Sequence, residues 1–181
     1  MGLFDMFKKK AEPAAPAAPA VPASVSTAAD ADTLASPCKG RVIAMSEIPD
    51  PVFSGEVLGK GCAVWPEDET IYAPCDGTVT VTMGHAVGLQ SNDGIEVLVH
   101  VGVDTVDMNG DGFTGFVKQG DTVKAGQPML KIDREKIKAA GPPDCAVVAI
   151  SNTAEFASVE LVAEAESTVE AGAAVVKVVR K

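Results

Sequence analysis

The chain has 181 residues, 46% of them hydrophobic and 22% charged, with a formal net charge of −10. That length suits one core of ordinary size plus an appendage, and a second catalytic domain is not expected. The acidic balance argues against nucleic acid, whose phosphate backbone is bound by clustered Lys and Arg, and favours partners carrying basic patches.

At the start, Leu3, Phe4 and Phe7 can share one helical face followed by Lys8, Lys9 and Lys10. Residues 1–10 therefore read either as an amphipathic foot on an anionic membrane surface or as a frayed, solvated terminus. Met6 stands where N-myristoylation requires Ser or Thr. Residues 11–35 hold mostly Ala, Pro, Ser, Thr and Asp, with too few large apolar side chains to fold, so a disordered linker is expected.

From residue 36 to 181 the pattern changes to short Val, Ile and Leu runs broken by Gly, Pro, Asp and Asn, which predicts an all-β domain, an antiparallel sandwich or barrel. Ser36-Pro37-Cys38-Lys39-Gly40-Arg41-Val42 recurs as Ala73-Pro74-Cys75-Asp76-Gly77-Thr78-Val79. Thr122-Val123-Lys124-Ala125-Gly126 returns as Thr168-Val169-Glu170-Ala171-Gly172, and each copy leads into an apolar strand, Met129–Ile132 and Val175–Val178. Paired half-motifs of this kind predict a pseudo-twofold duplicated sandwich. Helices should be short. One is expected from Asp133 through Lys138, capped by Asp133 and ended by Gly141-Pro142-Pro143.

The only histidines are His85 and His100, so any histidine chemistry runs through them. Along Ile95 to Asp104 the odd positions are Ile95, Val97, Val99, Val101 and Val103, a core face. The even positions include Leu98, His100, Gly102 and Asp104, so His100 and Asp104 are expected together on the side away from the core. His100 is then either an exposed reactive imidazole on a stiff platform or a surface decoration. His85 lies between Gly84 and Gly88, which interrupt regular pleating and leave its facing open. Alone it reads first as a structural histidine. Four cysteines lie far apart without CxxC spacing, the start lacks a signal-peptide apolar region, and no run approaches the roughly 20 apolar residues of a membrane-spanning helix. A reducing cytoplasmic setting is expected, at the inner face of the membrane if residues 1–10 bind it.

The stretch Gly94-Ile95-Glu96-Val97-Leu98-Val99-His100-Val101-Gly102-Val103-Asp104-Thr105-Val106 resembles the active-site signature of the glucose-class IIA proteins of the bacterial phosphoenolpyruvate-dependent sugar phosphotransferase system. His85-Ala86 upstream, Pro49 to Phe53, Gly110 to Phe113 and Ile150-Ser151-Asn152 are also similar to that family, and the resemblance spans Ser36 to Lys181. It implies that His100 accepts a phosphoryl group from the phosphocarrier HPr, as a phosphohistidine, and passes it to a cysteine on the IIB domain of a sugar-specific IIBC permease. It further implies that His85 holds the phosphoryl oxygens and that Asp104 pairs with a partner arginine. An apolar docking patch would comprise Val52, Phe53, Val57, Leu58, Val81, Leu98 and Val106. One position departs: Met83 stands where the family commonly has Thr, and Thr82 precedes it, so a hydroxyl contact to the histidine pair needs a bulge.

Other readings are weaker. A regulatory protein that controls permeases or kinases through its phosphorylation state fits the same residues. Gly120 to Gln127 resembles biotinyl and lipoyl carrier domains, but no cofactor-bearing lysine turn follows, and no cofactor is expected. Asp107, Asn109, Asp111 and Gly112 imitate an EF-hand opening, but Lys118 occupies the position of the required Glu. Two imidazoles alone bind a metal weakly, and none is expected.

Overall fold

β-branched side chains fit a pleated surface better than a helix, and the Val-rich runs accordingly pair as strands. The computed structural model describes residues 19–181. Its strands are β1 (Thr33–Ala35), β2 (Gly40–Ala44), β3 (Lys60–Pro66), β4 (Thr70–Tyr72), β5 (Gly77–Met83), β6 (Ala86–Ser91), β7 (Glu96–Val101), β8 (Phe113–Gly115), β9 (Thr122–Val123), β10 (Pro128–Ile132), β11 (Ala146–Ile150), β12 (Phe156–Leu161), β13 (Thr168–Val169) and β14 (Ala174–Arg180). They form an eight-stranded sheet in the order β13-β2-β3-β11-β7-β6-β5-β9 and two three-stranded sheets, β1-β14-β12 and β4-β10-β8. The α-helices are α1 (Pro51–Ser54) and α2 (Arg134–Ala140), the latter capped by the Asp133 carboxylate and closed by Gly141 in the left-handed region, as its sequence predicts.

The duplication is visible in the register. β13 pairs with β2 through Thr168↔Arg41 and Val169↔Gly40, and β9 pairs with β5 through Thr122↔Thr78 and Val123↔Gly77. The matching turns also hydrogen-bond alike, Gly172 N–H to the Ser36 carbonyl at 3.0 Å and Gly126 N–H to the Ala73 carbonyl at 2.8 Å. The two half-motifs thus cap opposite ends of the long sheet.

The expected boundary at residue 36 needs correction. β1 pairs with β14 through Thr33↔Lys177 and Leu34↔Val176, and Leu34 is fully buried. Ahead of it, Val25 N–H donates to the Gly126 carbonyl at 3.0 Å and Ala28 N–H to the Gly172 carbonyl at 2.8 Å, so this segment straps both repeated turns. Composition misses this because main-chain hydrogen bonds hold Val25 and Ala28 and a single large apolar side chain, Leu34, anchors the end of the segment. The rest of the linker and the amphipathic segment expected over residues 1–10 lie outside the described residues, apart from positions 19 onward.

β11 is buried along its whole length, since it lies between β3 and β7 with both faces covered. Ala146, Val148 and Ile150 join the main core, which includes Val97, Val99 and Val101 of β7. Val147 and Ala149 face a second, smaller cluster with Ile43, Met45, Ile48, Phe53, Ala63, Val103 and Cys145, against which Leu98 packs. This second cluster forms the floor beneath the two histidines. The four cysteines are free and buried, and burial pushes the Cys62 thiol up to about 12, which leaves it without nucleophilic thiolate.

Candidate functional site

Two strand connections bring the histidines together. Gly84-His85 is the two-residue turn joining β5 to β6, and the His85 carbonyl accepts a hydrogen bond from Val101 N–H at 2.8 Å, which fastens the turn to the end of β7. His100, the next residue back along β7, lies across from Ala86 on β6 and Val147 on β11. The imidazoles meet edge to face with ring centroids 4.7 Å apart and planes at 72°.

Aromatic rings close both ends of this pair. Phe53, turned inward by α1, stands 5.0 Å from His100, and Phe113 of β8 stands 6.3 Å from His85. α1 is set by Asp50, whose carboxylate accepts from Val52 N–H at 2.8 Å and Phe53 N–H at 3.0 Å, with Pro51 in the first helical position. The four rings Phe53, His100, His85 and Phe113 make a row with apolar ends.

That surrounding sets the protonation state. Burial, and then the neighbouring His85, push His100 down to about 4, while the Gly102 backbone and Asp50 act weakly the other way. Burial likewise lowers His85. Both rings are therefore neutral near pH 7, and a ring nitrogen keeps its lone pair for attack on phosphorus. Nδ1 of His100 is buried and has no hydrogen-bond partner among the described residues. The nitrogen left for chemistry is Nε2.

The alternation along β7 places Leu98 and His100 on the face opposite the main core, as expected. The imidazole is nevertheless half-buried rather than exposed, because residues 45–54 return over that face and supply the second cluster. His85, whose facing its sequence left open, is 6% exposed and belongs to the site. Val52, Val57, Leu58, Val81 and Val106 are exposed, at 41%, 72%, 39%, 40% and 59%. Phe53 corrects the expected docking patch: it is 5% exposed, and its ring meets His100 instead of solvent. Leu98 is half-buried.

Asp104 is exposed and left-handed at φ 57°, starting a 3-10 turn over Thr105–Met108, and has no ion-pair partner among the described residues. The bulge between Val79 and Val81 that a Thr contact would need is present, but Thr82 is exposed opposite Val87 and Met83 stands 45% exposed beside the turn. Reading the sequence missed Met83 as part of the apolar rim and Phe113 as the ring beyond His85. No local pattern points to Phe113, which reaches the site only through the pairing of β8 with β10.

Residues 32–156 match the family described as phosphoenolpyruvate-dependent sugar phosphotransferase system, EIIA 1. The chain is 43% identical over 129 residues to the PTS system mannose-specific EIIBCA component of Corynebacterium glutamicum, covering 70% of this chain and 19% of that protein. It is 38% identical over 147 residues to the PTS system glucose-specific EIIBCA component of the same species, covering 80% of this chain and 22% of that one. It thus spans about a fifth of the length of these curated relatives. Among solved structures, the glucose permease IIA from Mycoplasma capricolum superposes with a TM-score of 0.73 at 33% identity, covering 80% of this chain and 93% of that one.

Proposed function

The chain belongs to the EIIA 1 family of the phosphoenolpyruvate-dependent sugar phosphotransferase system, and we propose that within it His100 is the phosphoryl acceptor and His85 the group that steadies the transferring phosphate. The observation that carries this reading is the pair of imidazoles with centroids at 4.7 Å, kept neutral by burial, with His100 half-buried rather than sealed from solvent.

The reaction balances without a cofactor. The Nε2 lone pair of His100 attacks phosphorus on the phosphohistidine of HPr, a new N–P bond forms, and the donor N–P bond breaks with its electron pair returning to the donor ring. His85 donates an N–H to a phosphoryl oxygen as charge shifts in flight. A thiolate on a IIB domain then attacks the same phosphorus, and the bonding pair returns to His100 as a neutral imidazole. Such a transfer depends on in-line positioning and charge stabilisation, which a stiff β platform supplies. Asp104, exposed and without an ion-pair partner among the described residues, is suited to an arginine of the partner.

Val52, Val57, Leu58, Val81, Leu98 and Val106 supply the apolar contact around the histidines, with Phe53 supporting it from below. No helix among the described residues is long and apolar enough to cross a membrane. The test is incubation with phosphoenolpyruvate, enzyme I and HPr, followed by mass spectrometry. An acid-labile phosphoryl adduct on the wild type that is absent from His100→Ala is expected, and an undiminished adduct on that variant defeats the reading.

A further inference from the structure

The main chain of His85 is tied down on two sides. Its carbonyl accepts from Val101 N–H at 2.8 Å, and a Cβ on Gly84 would stand 2.7 Å from the Gly110 α-carbon, so the turn also leans on the backbone of the 110–113 loop. The imidazole is held differently. No group among the described residues hydrogen-bonds to its nitrogens, and the ring rests between two others, His100 at 4.7 Å and Phe113 at 6.3 Å, the latter with planes at 70°. That separation and tilt fall in the edge-to-face range in which aromatic pairs attract. Phe113 is itself fixed. It lies opposite Ile132 in the pairing of β8 with β10, and its N–H donates to the Gly110 carbonyl at 3.1 Å. The loop ahead of it is braced by Asp133 N–H on the Gly112 carbonyl at 2.7 Å and by the Lys136–Asp111 ion pair at 2.7 Å. Its half-buried side chain packs against the main core. A ring carried by the small β4-β10-β8 sheet thus bears on an imidazole carried by the large one.

We propose that Phe113 is a positioning residue for the phosphoryl relay: its ring backs the imidazole of His85 and keeps it against His100, where the two share a phosphoryl group. The inference rests on the reading of His100 as acceptor and His85 as its neighbour. A side chain with two free torsions and no hydrogen bond keeps one direction only where packing leaves it no other, and Phe113 is the packing on this side. Its ring meets His85 and not His100. Removing it therefore acts on the step that needs His85, the onward transfer, and leaves the acceptor nitrogen as it was.

The experiment compares wild type, Phe113→Leu and Phe113→Tyr as full chains, each alone and combined with His85→Gln. Phe113→Leu removes the ring and keeps apolar bulk for the core; Phe113→Tyr keeps the ring. The first readout is the set of proton contacts between the His85 and His100 rings, measured by NMR in unphosphorylated protein. The second is the rate of each half-reaction, acceptance from phospho-HPr and donation to the IIB cysteine. Phe113→Leu is expected to weaken the ring contacts and to slow donation about tenfold with acceptance unchanged, and Phe113→Tyr to match the wild type in both. In the His85→Gln background Phe113→Leu is expected to cost donation nothing further, since it acts through the side chain already removed. Unchanged ring contacts or unchanged donation in Phe113→Leu, equal slowing of both half-reactions, an undiminished further loss in the His85→Gln background, or a Phe113→Tyr variant as slow as Phe113→Leu overturns the proposal. Should Phe113→Leu not fold, Phe113→Met, which fills irregular gaps without a ring, takes its place with the same expectations. A wild type that accepts no phosphoryl group defeats the carrier reading instead, and the ring contacts are measured apart from that result.

Discussion

The ring of Phe53 lies against the imidazole of His100, centroids 5.0 Å apart and planes at 59°. The contact removes water from that imidazole, and burial is the leading cause of its low proton affinity. Phe53→Ala should therefore raise the His100 pKa from about 4 toward the ordinary histidine value near 6.5. It should also cost about 3–5 kcal/mol of stability, as truncation of a buried aromatic does. An NMR titration of the histidine ring protons measures the first effect and denaturant unfolding the second; a His100 pKa that does not move contradicts the role given to Phe53.

The depressed proton affinity of His100 fixes the sign of a pH effect on stability. The unfolded chain takes up a proton near pH 6.5, whereas the folded chain resists until about pH 4. Below 6.5 the unfolded state binds more protons, so this group's contribution is fully present above pH 6.5 and is lost progressively down to about 4. The loss is on the order of 2–3 kcal/mol at the acid end. Urea midpoints measured from pH 7.5 to 4 should fall more steeply for the wild type than for His100→Phe, and parallel curves would contradict the shift.

His85 is given a share in holding phosphate but none in bonding to phosphorus. His85→Gln should still accept a phosphoryl group on His100, while donation to the IIB cysteine slows by about 100-fold, in the range found when one donor to a developing charge is removed. Rapid-quench kinetics of the two half-reactions separate these effects. Full-rate onward transfer by the variant would remove His85 from the mechanism.

Leu34 lies inside the segment that composition assigns to a linker, yet it is fully buried in the main core. Leu34→Ala should destabilise the fold by about 2–5 kcal/mol, as other large-to-small core changes do. Equilibrium unfolding with and without the substitution provides the measurement, and a change below experimental error would return residues 33–35 to the linker.

The duplicated half-motifs and the alternating valines of β7 were legible because local periodicity reports both strand facing and turn chemistry. The histidine pairing was legible only through resemblance, since two glycines around His85 break the local pattern. What could not be read was the second apolar cluster. Met45, Ile48 and Phe53 come from a segment far from His100 in the chain, and no local signal says that it folds back over that face of β7. That one return converts Phe53 from a docking residue into a buried wall and His100 from an exposed ring into a half-buried one. Val25 and Ala28 escaped notice for a different reason: their holds are main-chain hydrogen bonds, to which residue identity is nearly silent.

The most direct test of the histidine pair is nitrogen NMR of the phosphorylated chain with both histidines labelled. A single phosphorus coupling at Nε2 of His100 is expected, together with a perturbed His85 ring that carries no phosphorus. Coupling at Nδ1 of His100, at either nitrogen of His85, or at neither ring would contradict the assignment of acceptor and neighbour.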